Sequence, residues 1–435
     1  MTYPDSVRFL YSLANEARTA ELGLVRMERV LEALGQPHRA TRFVHVAGTN
    51  GKGSTCAMIE SALRAAGLRT GLYTSPHLIE PTERIRIGGE PVSREAFASA
   101  FHKVHRVAED LLRDGIIQQH PTYFETVTAM AFLLFRELRV ELAVLEVGLG
   151  GRLDATNVVM PELAVITPVD FDHEKYLGKG LDSIAAEKAG ILKPGVGAVF
   201  APQREEVVPV LQERARQCGI EPVWVERSWR AEQPALWAGG SRFVAAGPAR
   251  VAITCPLPGE HQIVNALTAV AVLERLGIVP EAIGRGIAEV RWPGRLERVA
   301  SHPDVYLDGA HNPAGARALA SYIERFHRGR RIWLVYGAMR DKAVAEMAGI
   351  LFPLADEVIA TAPAQPRAVR PELIRELADH PRLRIAARLD DALALLREAA
   401  REDAVFITGS LFLVGEARAR LVPSQQGAAP ERRVK

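Results

Sequence analysis

Residues 44–54, VHVAGTNGKGS, decide how the rest of the chain is read. Arg42 to Val46 alternates and is β-branched, the pattern of a short buried strand. Cys56, Ile59, Leu63 and Ala66 then recur at helical spacing until Gly67 ends the run. Between strand and helix stand Gly48, Gly51 and Gly53, with Asn50 and Lys52 among them and Ser54 at the helix start. Glycines let backbone N–H groups turn inward, and a helix N-terminus adds partial positive charge. A lysine can then reach the β- and γ-phosphates, while a hydroxyl ligates Mg²⁺. Val46 takes the place of the first glycine of the common P-loop, and Gly53 separates Lys52 from Ser54. The pattern alone leaves both a nucleotide site and a plain glycine-rich strand–helix turn open.

On either side the same alternation continues. The first 40 or so residues read as helical, with Leu10, Met27, Val30 and Leu31 on apolar faces. Strands are expected over 69–74, 141–147 and 163–167, with a short strand and turn in ERIRIGG (83–89). An apolar stripe from Phe124 to Leu138 reads as a helix. Strands alternating with helices predict a parallel, doubly wound sheet, in which ligands sit at the carboxyl ends of strands. The glycine loop, Ser75, Glu146 and Asp170–His173 each follow such a strand. From 198 to 254 one strand–helix pair and several short segments are expected, then a helix over 259–276. Periodicity breaks at Trp292-Pro293-Gly294-Arg295, a domain boundary, and a second α/β series follows with strands over 305–307, 332–336, 357–361, 383–386 and 404–408. It lacks GxGxxG, so it carries no sign of a dinucleotide site.

The chain has 435 residues, 48% hydrophobic and 24% charged, with a formal net charge of +2, which suits a globular protein of two domains. Its charges are interspersed, so neither nucleic acid nor a membrane is expected as a partner. No run of about 18 apolar residues occurs, and the charged N-terminus is unlike a signal peptide. Three dispersed cysteines, Cys56, Cys218 and Cys255, point to reduced thiols and a cytoplasmic setting.

Several residues could carry chemistry, and each has a plainer alternative. Glu146 opens EVGLGGRLDATN and fits a Mg²⁺ ligand or a carboxylate bonded to its own loop. Asp170-Phe171-Asp172-His173 fits metal ligation or a helix cap. Glu125 completes a capping box in Thr122-Tyr123-Phe124-Glu125. Lys188, near a helix end at Gly190, fits a solvated charge favouring the helix dipole. In Asp308-Gly309-Ala310-His311-Asn312-Pro313 the last two residues suit a helix start.

Taken in order, HVAGTNGKGST, YTSPHL, ERIRIGG, TYFETVTAMAF, LEVGLGGRLDATN, DHEKYLG, IAAEKAGILKPG, GEHQIVNA, WPGRLE, LDGAHNPAGA, PRA and TGSLFLVGEAR identify a resemblance. From about Gly23 to about Arg418 the chain resembles the folylpolyglutamate synthase/dihydrofolate synthase family of the Mur ligase superfamily. The resemblance implies an N-terminal P-loop-type doubly wound ATPase domain bearing the pterin/folate site (1–296), a smaller C-terminal Rossmann-like α/β ligase domain (297–423) and a disordered tail (424–435). It implies ATP-dependent ligation of L-glutamate to dihydropteroate and to the γ-carboxylate of reduced folates, through an acyl phosphate.

By the same resemblance, Asn50, Gly51, Lys52, Gly53 and Ser54 hold ATP phosphates, and Asn265, Arg295 and Asp308 close on the nucleotide, the last from the second domain. Ser54, Ser75, Glu146, His173 and Lys188 serve two Mg²⁺ sites, Lys188 as an N-carboxylated side chain. Lys52, Lys188, His173 and His311 are the implied catalytic set. Substrate contacts are implied at Gly23, Arg26, Thr122, Tyr123, Phe124, Arg152, Leu153, Asp154 and Ala155. Ala343 after Asp341-Lys342, and Glu174 after His173, depart from the family's usual residues. The implied enzyme is a cytoplasmic monomer. Alternatives are extension of folate tails alone, a Mur-type ligase for another carboxylate, which usually needs an extra N-terminal domain, and an ATP-gated binding module without ligase chemistry.

Overall fold

Strand β1 (Arg42–Ala47), buried along five of its six residues, lies inside an eight-stranded sheet. The computed structural model describes residues 2–13 and 23–423 and divides between Trp292 and Pro293 into two units, inside the WPGR stretch. The expected tail, 424–435, lies outside the described residues. In the first unit β1 is followed by β2 (Thr70–Tyr73), β3 (Ile85–Ile87), β4 (Glu90–Pro91), β5 (Leu142–Glu146), β6 (Leu163–Ile166), β7 (Gly197–Phe200) and β8 (Val223–Trp224). Their order is β4-β3-β2-β5-β1-β6-β7-β8. From β2 to β8 all neighbours are parallel, and β3 and β4 add an antiparallel edge.

Strands apolar on both faces belong between two helical layers. Val44 and Val46 pack with the helices Lys52–Ala65 and His261–Arg275. Phe43, Tyr73 and Leu145 pack on the other face with the helices Arg94–Arg113 and Tyr123–Glu137. The first of these, 20 residues long, was not anticipated. Residues 230–255, expected only as short segments, form a three-stranded antiparallel sheet of β9 (Arg230–Trp237), β10 (Gly240–Ala246) and β11 (Arg250–Cys255). Phe243, Ala245, Val251 and Ile253 join it to the core of the helix His261–Arg275.

Register sets where the chemistry falls. Val46 lies opposite Glu146, Ala47 opposite Ile166, and Tyr73 opposite Leu145, so four strands end almost level. The connection from β1 to β2 runs one way along the sheet and that from β5 to β6 the other. Such a reversal opens a crevice at the carboxyl ends of the strands.

The second unit holds β12 (Glu297–Ala300), β13 (Asp304–Leu307), β14 (Ile332–Tyr336), β15 (Glu357–Ala360), β16 (Leu383–Ile385) and β17 (Ala404–Thr408), in the order β12-β13-β17-β14-β15-β16. All pairs but β12–β13 are parallel. Helices such as Pro313–Phe326 and Leu411–Leu421 connect the strands, and Tyr306 stacks on Phe406 in the core. This is the smaller α/β domain expected, with β12 as an unforeseen edge. Among the described residues no helix is long and apolar enough to cross a membrane. The three cysteines are unpaired and buried.

Candidate active site

The loop after β1 turns straight into a helix that starts at Lys52. Gly51 is its N-cap at φ +81°, where a Cβ would also strike the Asn265 amide. Gly48, at φ +148°, lies so close to Thr167 that a Cβ would collide with its side chain and carbonyl. Both positions therefore require glycine. Lys52 arches back over the loop, its Nζ donating to the carbonyls of Gly48 (3.0 Å) and Thr49 (3.1 Å).

Lys188 comes from the helix Leu181–Ala189, and its Nζ donates to the same Gly48 carbonyl at 2.8 Å. It is 5% exposed, so the reading of a solvated helix-end charge is wrong. Helix 181–189 is docked under the β5 loop by the Arg152 N–H on the Glu187 carbonyl, which turns Lys188 inward. Burial first, and the Lys52 charge second, bring its pKa down to about 7. An amine with that pKa is substantially neutral at physiological pH.

Glu146 ends β5, is 5% exposed and accepts the Ser75 backbone N–H at 3.0 Å. Ser54 is buried in the first turn of the phosphate-loop helix, where Gln262 Nε2 donates to its Oγ at 3.4 Å. Gln262 in turn accepts from Asn265 Nδ2 at 2.9 Å. The loop after β6 is tied to the phosphate loop. The N–H groups of Thr49 and Asn50 donate to the Pro168 carbonyl, and the Thr49 hydroxyl bridges to the Asp170 backbone. His173, with φ +55°, heads the short helix Glu174–Leu177, and its Nε2 lies 3.8 Å from the Asp172 carboxylate.

A second group of predicted residues lines up along the β5 loop and the helix Tyr123–Glu137. Thr122 and Glu125 form the expected capping box. Glu125 also receives Arg26 Nε at 2.9 Å, and both side chains are largely buried. Tyr123 stacks parallel to Tyr11 at 5.7 Å, with Arg84 over its ring. Phe124 packs on Tyr73 and lies against Gly148.

Asp154 is buried and accepts from the N–H groups of Gly148, Leu149 and Thr156 and from the Thr156 hydroxyl. Burial pushes its carboxyl pKa up, against the pull of these hydrogen bonds. Asp154 therefore shapes the loop that carries Leu153 and Ala155. Arg152 is exposed and paired with Glu187 at 2.9 Å. Gly23 has open space around its Cα.

In the second unit, Asp308 accepts the N–H groups of Leu296 and Ala310, which fixes the turn after β13. Asn312 caps the helix Pro313–Phe326 through the Gly315 N–H, the plainer reading of that residue. His311 Nδ1 pairs with the Gly309 carbonyl, and Arg295 donates to the Gly294 carbonyl. Gln262, Thr49 and Glu187 were not foreseen as site residues. Gln262 stood three residues before Asn265 on one helix face, the only signal that pointed to it.

The donors suit a hard cation in part. The hydroxyls of Ser54 and Ser75 and the Glu146 carboxylate are oxygen ligands of the kind Mg²⁺ takes. The Lys188 amine offers no oxygen ligand, whereas a carbamate on its Nζ would.

Comparison with known proteins follows the same division of the chain. The Mur ligase middle domain matches residues 46–273 and the Mur ligase, glutamate ligase domain residues 294–411. A dihydrofolate synthase/folylpolyglutamate synthase of Bacillus subtilis is 36% identical over 92% of this chain and 95% of its own. A folylpolyglutamate synthase of Mycobacterium tuberculosis, solved with ADP and AMPPCP, is similar at a TM-score of 0.90 and 33% identity, covering 97% of this chain and 98% of its own. A structure of the Escherichia coli FolC protein with DHPP and ADP matches at a TM-score of 0.84 and 30% identity, covering 96% and 97%. The chain spans about half, 52%, of a longer Halobacterium salinarum relative named as a probable bifunctional folylpolyglutamate synthase/dihydropteroate synthase.

Proposed function

Because the chain belongs to the dihydrofolate synthase/folylpolyglutamate synthase family of Mur ligases, we propose that it is a bifunctional ATP-dependent acid–amino-acid ligase. It joins L-glutamate to dihydropteroate, making dihydrofolate, and to the γ-carboxylate of reduced folates. The observation that carries the reading is the buried, amine-like Lys188 sharing the Gly48 carbonyl with Lys52 at the carboxyl edge of the sheet. A protein that only senses ATP has no use for a second buried lysine there.

A free carboxylate is a poor acyl donor, so the reaction runs in two steps. A substrate carboxylate oxygen bonds to the γ-phosphorus of ATP, the bond to the β-phosphate oxygen breaks, and ADP leaves. The amine of glutamate then bonds to the acyl carbon, the bond from that carbon to the phosphate oxygen breaks, phosphate leaves with its electron pair, and the nitrogen loses a proton. Positioning and neutralisation of phosphate charge supply most of the rate.

In this assignment the N–H groups of residues 50–54 and Lys52 hold the phosphates, and Asn265 and Gln262 fix the loop that presents them. Ser54, Ser75 and Glu146 would hold Mg²⁺, with His173 and Lys188 at a second site. Bound Mg²⁺ offsets the charge that builds on the transferring phosphoryl group. Lys188 works as a carbamate. Its neutral amine bonds to the carbon of CO₂, one C=O electron pair moves to oxygen, and the nitrogen releases a proton, so a cationic group becomes an anionic oxygen ligand. Tyr123, Phe124 and the loop of Leu153 and Ala155 take the pteridine-bearing substrate, with Arg26 and Arg152 among its contacts. Arg295, Asp308 and His311 serve the nucleotide and the incoming glutamate. The enzyme is assigned to the cytoplasm as a monomer.

The deciding assay supplies ATP and glutamate with either 7,8-dihydropteroate or a reduced folate monoglutamate. ADP release that needs both acid and glutamate, with either acid, supports the reading. Turnover with the folate alone reduces the function to tail extension, and ATP hydrolysis indifferent to both acids overturns it.

A further inference from the structure

Away from the crevice, the helix Arg94–Arg113 presents His105 and Glu109 one turn apart, and His120 approaches from the segment that leads into Thr122. One ligand atom from each of the three lies within 4.8 Å of the other two. His105 Nδ1 stands 3.8 Å and His120 Nε2 3.7 Å from the same Glu109 carboxylate oxygen. These distances are too long for hydrogen bonds. Both nitrogens are buried with no hydrogen-bond partner, which ordinarily carries a cost. Two ligands held about 2.0–2.2 Å from a tetrahedral ion stand roughly 3.4 Å apart, so the two distances to Glu109 need only a slight contraction, and the two imidazole nitrogens, within 4.8 Å of each other, close the rest.

The surroundings fix these rings in a ligating posture. The His120 Nδ1 lies 3.0 Å from the Pro121 carbonyl, the outer bond that leaves Nε2 with its lone pair facing the cluster. His105 is stacked on Phe101 at 5.4 Å and edged by Phe9 at 4.5 Å, and Phe9 also edges His120 at 5.5 Å. Glu109 is half exposed, which admits an ion from solvent and leaves a water in the fourth position.

We propose that His105, Glu109 and His120 form a binding site for a divalent transition-metal ion, Zn²⁺ by ligand chemistry. Two imidazoles and one carboxylate match zinc far better than Mg²⁺, which takes oxygen ligands. The site would clasp the helix Arg94–Arg113 to the segment that delivers the Thr122 cap. Its effect is thus structural support for the Thr122–Phe124 edge, separate from the phosphate-loop Mg²⁺ sites.

The test uses the full chain, stripped with chelator and titrated with Zn²⁺ and, for its spectrum, Co²⁺. Glu146 and His173 can also take these ions, so the parent is compared with His120→Gln and Glu109→Gln. The expected result is one equivalent fewer in each variant, loss of the four-coordinate cobalt absorption band, and loss of a zinc-dependent rise of several degrees in melting temperature. His105→Gln removes a packed ring and can cost folding, whereas Glu109 lies at the surface and its variant decides the matter. Equal stoichiometry and equal cobalt spectra in the parent and in Glu109→Gln would overturn the site and leave an ordinary His–Glu pairing.

Discussion

Lys52 and Lys188 donate to one oxygen, the carbonyl of Gly48, at 3.0 and 2.8 Å. Two ammonium groups on one acceptor repel, and at an effective dielectric of about 20 that repulsion amounts to a few kcal/mol. The buried member yields its proton, and Lys188 is the buried one. On the proposed reading, Lys188 is thereby an amine available for carboxylation.

Substitution at Lys188 tests that division. Lys188→Ala is expected to keep ATP binding and to lose ligation by about 100-fold or more, the scale of removing one electrostatic contact in a transition state. A short carboxylic acid added to Lys188→Ala is expected to restore part of the rate. Lys188→Arg fails as fully, since guanidinium is not carboxylated. Steady-state rates of ADP release read all three, and an active Lys188→Arg enzyme contradicts the carbamate.

Stability should record the same pKa. Unfolded, the lysine keeps its proton up to about its ordinary 10.5, and folded it gives it up near 7. Between these values the unfolded chain binds more protons, so folding stability rises with pH across that window. Below 7 the full penalty of burying the charge applies. Urea midpoints in CO₂-free buffer are expected to climb more steeply from pH 7 to 10 in the parent than in Lys188→Met. Parallel curves would contradict the lowered pKa.

The Arg26–Glu125 pair ties the helix Val25–Ala33 to the first turn of the helix Tyr123–Glu137, and both side chains are largely buried. Glu125→Ala removes the carboxylate of a largely buried ion pair and also opens the capping box, for an expected loss of about 3–5 kcal/mol. Thr122→Ala removes only the cap and is expected to lose about 1 kcal/mol. Chemical denaturation measures both, and equal losses would mean the ion pair contributes nothing beyond the cap.

Gln262 and Asn265 brace the glycine loop after β1, and on the proposed reading they bear on nucleotide through it. Gln262→Leu removes the donor to Ser54 and the acceptor for Asn265, which frees the amide that packs against Gly51. The expected outcome is a KM for ATP raised about tenfold, equal to about 1.4 kcal/mol, with KM for the pteroyl acid unchanged. A rise in both constants would place Gln262 at the folate instead.

Much of the framework was legible in the residues. β1, β5 and β14 are short β-branched or apolar runs, and such runs form buried strands wherever helices cover both faces. The Thr122–Glu125 box and the Asn312-Pro313 helix start are local hydrogen-bond chemistry and stand as read. The helix Arg94–Arg113 was missed although Phe97, Phe101, Val104, Ala108 and Leu111 recur at helical spacing, so its signal was present in the sequence.

What the sequence by itself determined is therefore local: strand and helix periodicity, glycines at the phosphate loop, caps, and a run of motifs that marks a family. Only the tertiary structure decided that Lys188 is buried and that Arg26 answers Glu125. It also decided that Asp154 spends its oxygens on its own loop and that His120 meets His105 and Glu109. Periodicity reports which face of an element turns inward, because that depends on neighbours three or four residues away. Whether a charged side chain meets water or a carbonyl 140 residues distant depends on how separate elements dock, and no local spacing encodes that.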